Sequence, residues 1–283
     1  MDFIGTGNGD RIVGTGEDDT FDMSQGGHDT VKGGAGDDTF LFGDQFFATD
    51  HIEGGAGIDT LVLEGPYQEL TRLHDNTLSG VEVLQLVGAH SYSLKLADGN
   101  VAAGKVLTIE ALVFNGNSIG IDGRSETDGR FHMLGSVEGD GLLGGARADT
   151  LEGGKGHDNI AGGGGADILT GGEGADHISG GEGADRFVYL SIADSRPGVA
   201  DLISDLAGKD TIDLSAIDAD PTQGGDQAFV LATAFTGHAG EAVLSYDAVH
   251  DLTLLSLDVD GDGAADGLIT LSGDHTDFGR FAL

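Results

Sequence analysis

GGKGHDNIA, GGGGADILT, GGEGADHIS and GGEGADRFV follow one another without a gap from Gly153 to Val188. They are one nine-residue unit with Gly at places one, two and four, Asp at place six and an apolar residue at place eight. Looser copies precede them, GSVEGDGLL from Gly135 and GGARADTLE from Gly144, so Asp140, Asp149, Asp158, Asp167, Asp176 and Asp185 fall nine apart. Two places after each stands Leu142, Leu151, Ile160, Leu169, Ile178 or Phe187. A fixed period of this kind marks a repeat architecture, in which each unit buries its apolar side chain only by stacking on its neighbours. The glycines permit positive φ and a tight turn, and the last three residues form a short strand with one side chain inward. Asp at place six offers a hard carboxylate oxygen beside backbone carbonyls of the next turn. About six to eight oxygen ligands of this type suit Ca²⁺ and not Zn²⁺ or Cu²⁺.

A second array opens the chain. GGAGDDTFL (Gly33 to Leu41) and GGAGIDTLV (Gly54 to Val62) are clean copies; GTGNGDRIV, GTGEDDTFD and SQGGHDTVK are weaker ones. They place Asp10, Asp19, Asp29, Asp38 and Asp59, with Asp50 in a further degenerate copy, and Ile12, Phe21, Val31, Phe40, Ile52 and Leu61 hold the apolar place. Composition agrees with cation binding. Lys and Arg number 13 against 49 Asp and Glu, a formal charge of −36. That balance argues against nucleic acid as a partner, since phosphate recognition rests on Lys and Arg. Without Cys there are no disulfides or thiolate metal sites, and no apolar run reaches the about 18 residues of a transmembrane helix. A disordered acidic chain, a self-repelling one and one neutralised by bound cations remain; the registered apolar residues favour the last.

The repeat GGxGxDxUx resembles that of the RTX (repeats-in-toxin) family. The resemblance implies an all-β fold, a right-handed parallel β-roll with two repeats per coil and Ca²⁺ between stacked turns. It puts Asp140, Asp158 and Asp176 on one edge of the second roll and Asp149, Asp167 and Asp185 on the other. Asp19, Asp29, Asp38 and Asp59 are the matching ligand candidates in the first array, and about eight ions are expected in all. Glu138 and Arg147 replace the fourth-place Gly, so the coil from Gly135 is expected to hold its ion poorly.

Between the arrays, Val81 to Val87, Ser91 to Leu96, Leu107 to Phe114 and Ser118 to Ile121 read as strands continuing the roll into a wider parallel β-helix or sandwich. Pro66 to Leu73 has the composition for a turn or two of helix. The expected organisation is a first array (1–62), a strand-rich segment (63–134), a second array (135–188) and a β capping module (189–283). The stretch from Ala200 to Asp220 with GEAVLSYD, LTLLSLDVDGDGAADGLITL and DFGRFAL resembles the C-terminal module of serralysin-type metalloproteases (peptidase M10). That resemblance implies a cap on the roll and an uncleaved signal for a type I secretion ABC transporter. Asp277, Phe278, Phe281, Ala282 and Leu283 match its acidic-then-apolar ending, while Gly279 and Arg280 depart from it. In DVDGDGAAD, Asp258, Asp260, Asp262 and Asp266 stand at places 1, 3, 5 and 9, as in the front of an EF-hand loop, with Ile269 where the bidentate Glu belongs. The segment better resembles the calcium hairpin of integrin-type propellers; an acidic, solvated hairpin tip is the competing reading.

No catalytic site is expected. The chain has no HExxH, and no two of its 10 His residues stand four apart. Gly116 to Gly120 (GNSIG) matches GxSxG, but IDGRSETDG after it is no helix, so Ser118 reads as structural. His157 and His177 occupy variable, solvent-facing repeat places. The leading reading is a secreted, extracellular or cell-surface calcium-binding protein of the RTX class that folds on export. The rivals are the non-catalytic C-terminal part of a larger protease, lipase or epimerase, and a module binding polysaccharide or a cell-surface layer. Met1 running straight into a repeat favours the first rival, and Met1 to Asp10 lacks the basic start and apolar stretch of a secretory signal peptide.

Overall fold

Strand pairing spaces the coils of a single solenoid, shown here in a computed structural model describing residues 1–68, 71–114 and 116–283. Thr20 lies beside Thr39, Thr39 beside Thr60, Thr60 beside Val83, Val83 beside Thr108 and Thr108 beside His132. Successive coils therefore take 19, 21, 23, 25 and 24 residues. From His132 through Thr150 and Ile168 to Arg186 the offset is 18, two nine-residue units per coil. Alternate strands fall on opposite flanks. One flank is a 12-stranded sheet running from Asp2–Ile4 to Phe281–Ala282, all parallel. The other divides into a 4-stranded sheet over the first array and an 11-stranded sheet from Thr71–Arg72 onwards.

The apolar place of each repeat builds the core. Phe21, Phe40, Leu61, Leu84, Ile109, Met133, Leu151, Leu169, Phe187 and Ile212 are successive cross-strand partners, all fully buried. Val31, Ile52 and Leu78 face them on the short sheet, then Leu94, Ile121, Leu142, Ile160, Ile178 and Ile203 on the long one. Phe3, Phe21 and Phe40 stack ring on ring at 4.9 Å, the spacing of neighbouring strands. The wider coils bury two side chains per strand, as with Leu84 and Leu86. The middle strands expected from sequence are present at Val83–Gly88, Tyr92–Lys95, Val106–Val113 and Ile119–Asp122.

Two expectations need correction. In the Pro66 to Leu73 stretch, Thr71–Arg72 is a strand paired with Leu94 and Lys95 and not a helical turn; Glu69 and Leu70 lie outside the described residues. A further rung, Arg130–Leu134, was absent from the sequence reading, because RFHML carries only two inward side chains and no turn signature of the repeat. Beyond the repeats, Asp201–Ile203 pairs in parallel with Gly267–Ser272, which continues antiparallel into Leu252–Asp258 and Glu241–Asp247. Phe281–Ala282 adds the final strand beside Thr211–Asp213, and Phe278, Phe281 and Leu283 pack on the core. The two long sheets thus end in the short strands Phe281–Ala282 and Val230–Ala232, which offer little edge for pairing with another chain. Ser118 leads into the strand Ile119–Asp122 with no helix after it, so the GxSxG elbow is not formed.

Candidate metal centre

The place-six aspartates form ladders along both edges of the roll. The Asp140 N–H donates to Asp158 Oδ1 at 2.7 Å, that of Asp158 to Asp176 Oδ1 at 2.8 Å and that of Asp176 to Asp201 Oδ1 at 2.9 Å. On the other edge the order is Asp149, Asp167, Asp185, Asp210, at 2.8, 3.0 and 3.0 Å. The first array repeats this as Asp10, Asp29, Asp50 and as Asp19, Asp38, Asp59, with Glu82 accepting from Asp59 at 3.1 Å. On each edge, one oxygen of each accepting carboxylate is thereby committed to holding the coil before it.

The second oxygen carries the chemistry. Oδ2 of Asp29, Asp38, Asp59, Asp158, Asp167, Asp176, Asp185 and Asp201 is buried without a hydrogen-bond partner. A buried charge left like this is costly unless a cation accompanies it. Burial, followed by the opposing ladder hydrogen bonds, pushes Asp158 and Asp167 up to about 7, Asp59 and Asp176 to about 6 and Asp201 to about 8. Among the described residues no Lys or Arg side chain forms an ion pair with a repeat aspartate. What does face Oδ2 is more oxygen. A Cβ built on Gly153 would lie 2.6 Å from the Gly171 carbonyl and closer still to Asp158 Oδ2. Gly33, set between Asp38 Oδ2 and the Gly54 carbonyl, has the same surroundings. The turns thus enclose cradles lined by acceptors, a donor set that fits a hard divalent cation such as Ca²⁺.

This corrects one expectation. Place-two glycines adopt positive φ (Gly154 at 105°, Gly163 at 102°, Gly172 at 99°, Gly181 at 91°), as do Gly156, Gly165 and Gly183 at place four. Place-one Gly153, Gly162, Gly171 and Gly180 do not. They are glycine because a side chain would fill the cradle. Gly153→Ala is therefore expected to cost about 1–3 kcal/mol by overpacking and to lower calcium affinity, whereas Gly16→Ala, with open space around it, should stay within about 0.5 kcal/mol. Thermal melts in saturating calcium would show this; equal melting points for the two variants would count against the cradle.

Place two also sorts the coils. In four copies place two is not at positive φ and its N–H turns onto the aspartate: Thr6 donates to Asp10 Oδ2 at 2.6 Å, Thr15 to Asp19 at 2.5 Å, Ser136 to Asp140 at 2.5 Å and Gly145 to Asp149 at 2.7 Å, whereas Asp29 Oδ2 stays without a partner although Gln25 at place two is not at positive φ either. Each array begins with such a pair of copies. Asp201 and Asp210 were missed as ladder members. Their signal is a nine-residue spacing with Ile203 and Ile212 two places on, hidden by the 16 residues separating Asp201 from Asp185. In the terminal hairpin, ligand oxygens of Asp258, Asp260 and Asp262 lie within 4.8 Å of one another. Asp266 is outside that group, its Oδ2 accepting from the Val259 N–H at 2.9 Å. Asp258 accepts from the Gly261 and Gly263 N–H groups at 2.7 and 2.9 Å.

Comparison with known proteins agrees with this geometry. The family model described as peptidase M10 serralysin C terminal matches residues 129–281, and that of the RTX calcium-binding nonapeptide repeat (4 copies) matches residues 24–45 and 48–64. The chain is similar to metallopeptidase AprA of Pseudomonas marginalis, 49% identical over 88 residues, covering 31% of this chain and 17% of the relative. Metalloprotease AprA of Pseudomonas entomophila is likewise 49% identical over 88 residues, 31% of this chain and 18% of that protein. The aligned segment thus spans under a fifth of these curated relatives. Among solved structures, the AlgE6R3 subunit of Azotobacter vinelandii mannuronan C5-epimerase is 32% identical with a TM-score of 0.38, over 51% of this chain and 76% of that one. With the M10 match spanning more than half of its residues, the chain belongs to the peptidase M10 serralysin C-terminal family and carries RTX calcium-binding repeats.

Proposed function

We propose that this is a secreted module whose β-roll folds only on meeting extracellular calcium, after export through a type I ABC transporter. The observation carrying this reading is the row of buried, partnerless Oδ2 atoms, which leaves the fold incomplete until cations arrive. Residues 1–62 and 135–188 would be the calcium-loaded arrays, 63–134 a wide-coiled spacer and 189–283 the cap. About eight ions, at roughly 10⁻⁴–10⁻³ M affinity each, would be absent at cytosolic calcium and bound outside. Ligands would be Oδ2 of Asp29, Asp38, Asp59, Asp158, Asp167, Asp176 and Asp185, with Asp19, Asp140 and Asp149 weaker because a local N–H already occupies them. Asp258, Asp260 and Asp262, with Asp266 nearby, would hold a separate ion in the hairpin. The chemistry of the chain is binding and not catalysis, and within a longer protease- or epimerase-like protein it would serve as the calcium-dependent C-terminal part. Among the described residues no helix is long and apolar enough to cross a membrane. Circular dichroism during a calcium titration from submicromolar to millimolar tests the reading; full β-signal at the lowest calcium would refute it.

The tail bears on export. In the fold, the Ile212 and Leu214 N–H groups donate to the Arg280 and Ala282 carbonyls at 3.2 and 2.8 Å, so the terminal strand is docked. A transporter could read it only before folding. Deleting Asp277 to Leu283 is expected to abolish export in a reconstituted type I system and also to lower the melting temperature of the calcium-loaded chain. Undiminished export of the truncated chain would leave the tail a cap alone.

A further inference from the structure

The ladder facing Asp149 is one carboxylate short. The N–H donated to Asp149 Oδ1, at 2.7 Å, comes from Phe131, in the register where the nine-residue coils after it carry Asp, as Ile119 stands in register before Asp140 on the other edge. Five residues earlier stands Glu126, 0% exposed. Its Oε1 accepts from the Asp128 and Gly129 N–H groups at 3.0 and 2.8 Å, and its carbonyl accepts from the Ala146 N–H at 2.9 Å. The Glu126 turn is therefore stacked directly on the turn that carries Asp149. Gly145 makes room for it, since a Cβ there would lie 2.9 Å from the Glu126 carbonyl; a Cβ on Gly129 would meet Val101 first, at 2.5 Å, and Glu126 Cδ at 3.2 Å. Glu126 Oε2 is buried with no partner, as in the ladder aspartates. Burial holds Asp149 up at about 6 against the Gly145 and Phe131 N–H groups, and the nearby Glu126 carboxylate adds to it.

We infer that Glu126 supplies the missing carboxylate and that its Oε2, with Asp149 Oδ2 as a second and weaker ligand that also accepts the Gly145 N–H at 2.7 Å, holds a divalent cation, most suitably Ca²⁺, at the join between the last wide coil and the first nine-residue coil. Glu126 lies outside every segment matched by the family models and belongs to no nonapeptide copy. A longer side chain from an earlier turn position reaches where Asp would stand, so the second array is closed by an ion at its start. The inference rests on the calcium reading above.

The test is the number of calcium ions per chain after equilibrium dialysis at saturating calcium, measured on the full chain, E126Q and D167N. Glu126→Gln keeps the Oε1 acceptor and replaces Oε2 with an amide. The expected result is one ion fewer in E126Q, with D167N also reduced, and an E126Q melting temperature in chelator no lower than that of the parent. Unchanged stoichiometry in E126Q with a loss in D167N overturns this site alone, including the case in which Glu126 and Asp149 merely share a proton. A parent chain that binds no calcium overturns the general reading instead. If E126Q does not fold, Glu126→Asp serves: it should show one site weakened at least tenfold, and unaltered affinity at every site would overturn the proposal.

Discussion

Chelating calcium at pH 7.5 is expected to unfold the chain, and lowering the pH to 5.5 in the same chelator to restore part of its structure. The first half follows from charge. At −36, with oxygens of eight aspartates buried and unpartnered, the metal-free roll stacks like charges 18 residues apart along two edges. About eight ions at a tenfold excess over Kd would contribute roughly 1.4 kcal/mol each, about 11 kcal/mol together, by mass action. That is comparable to the ~5–15 kcal/mol by which ordinary domains are stable. The second half follows from linkage. Asp59, Asp149, Asp158, Asp167, Asp176 and Asp201 are raised from 3.8 to about 6–8 in the metal-free fold. Between the unfolded and folded values the native state binds more protons, so metal-free stability falls as pH rises through about 4 to 8. Below that window the penalty is absent, and above it the penalty is complete. With calcium bound the sign reverses, because the ion must displace those protons. Urea midpoints at pH 5.5 and 7.5, with calcium and with chelator, should cross. Parallel pH profiles in the two solutions would exclude calcium and protons competing for the same oxygens.

Replacing Asp158, Asp167 and Asp176 together with Asn is expected to remove about three ions and, in chelator, to make the chain more stable than the parent. Asn retains an oxygen able to accept the ladder N–H, so the 2.7–2.8 Å bonds from Asp140, Asp149 and Asp158 can persist. Its amide replaces Oδ2 and supplies donors to a cradle that otherwise contains acceptors, among them the Gly171 carbonyl near Asp158. The uncompensated buried charge disappears along with the calcium site. In saturating calcium the order inverts, with the parent the more stable because only it gains the binding energy of all its ions. Changing Asp10 or Asp140 alone should alter calcium binding less, since Thr6 and Ser136 already occupy their second oxygens. Equal calcium stoichiometry in the triple variant and the parent would place the ions elsewhere.

The period of nine, the place-six Asp and the place-eight apolar residue were enough to determine the stacked roll and its core. A unit with one inward side chain has no stable state except against copies of itself. The middle strands were legible by alternation, and the cap by its resemblance to the serralysin module. The sequence could not show which aspartate oxygens are free. That depends on local backbone conformation, and Gly145 and Gly154 are the same letter with opposite outcomes: one N–H turns onto Asp149, while the other, at positive φ, leaves Asp158 Oδ2 bare. Place-one glycine was read as a turn residue, although its missing Cβ makes room for oxygens contributed by the next coil. Asp201 joins its edge only after an insertion of irregular length is folded away, because register between coils is set by backbone pairing and not by sequence spacing. The nonapeptide is local and could be read directly; the aspartate ladders form between coils at least 18 residues apart, and only the stacked structure brings their oxygens together.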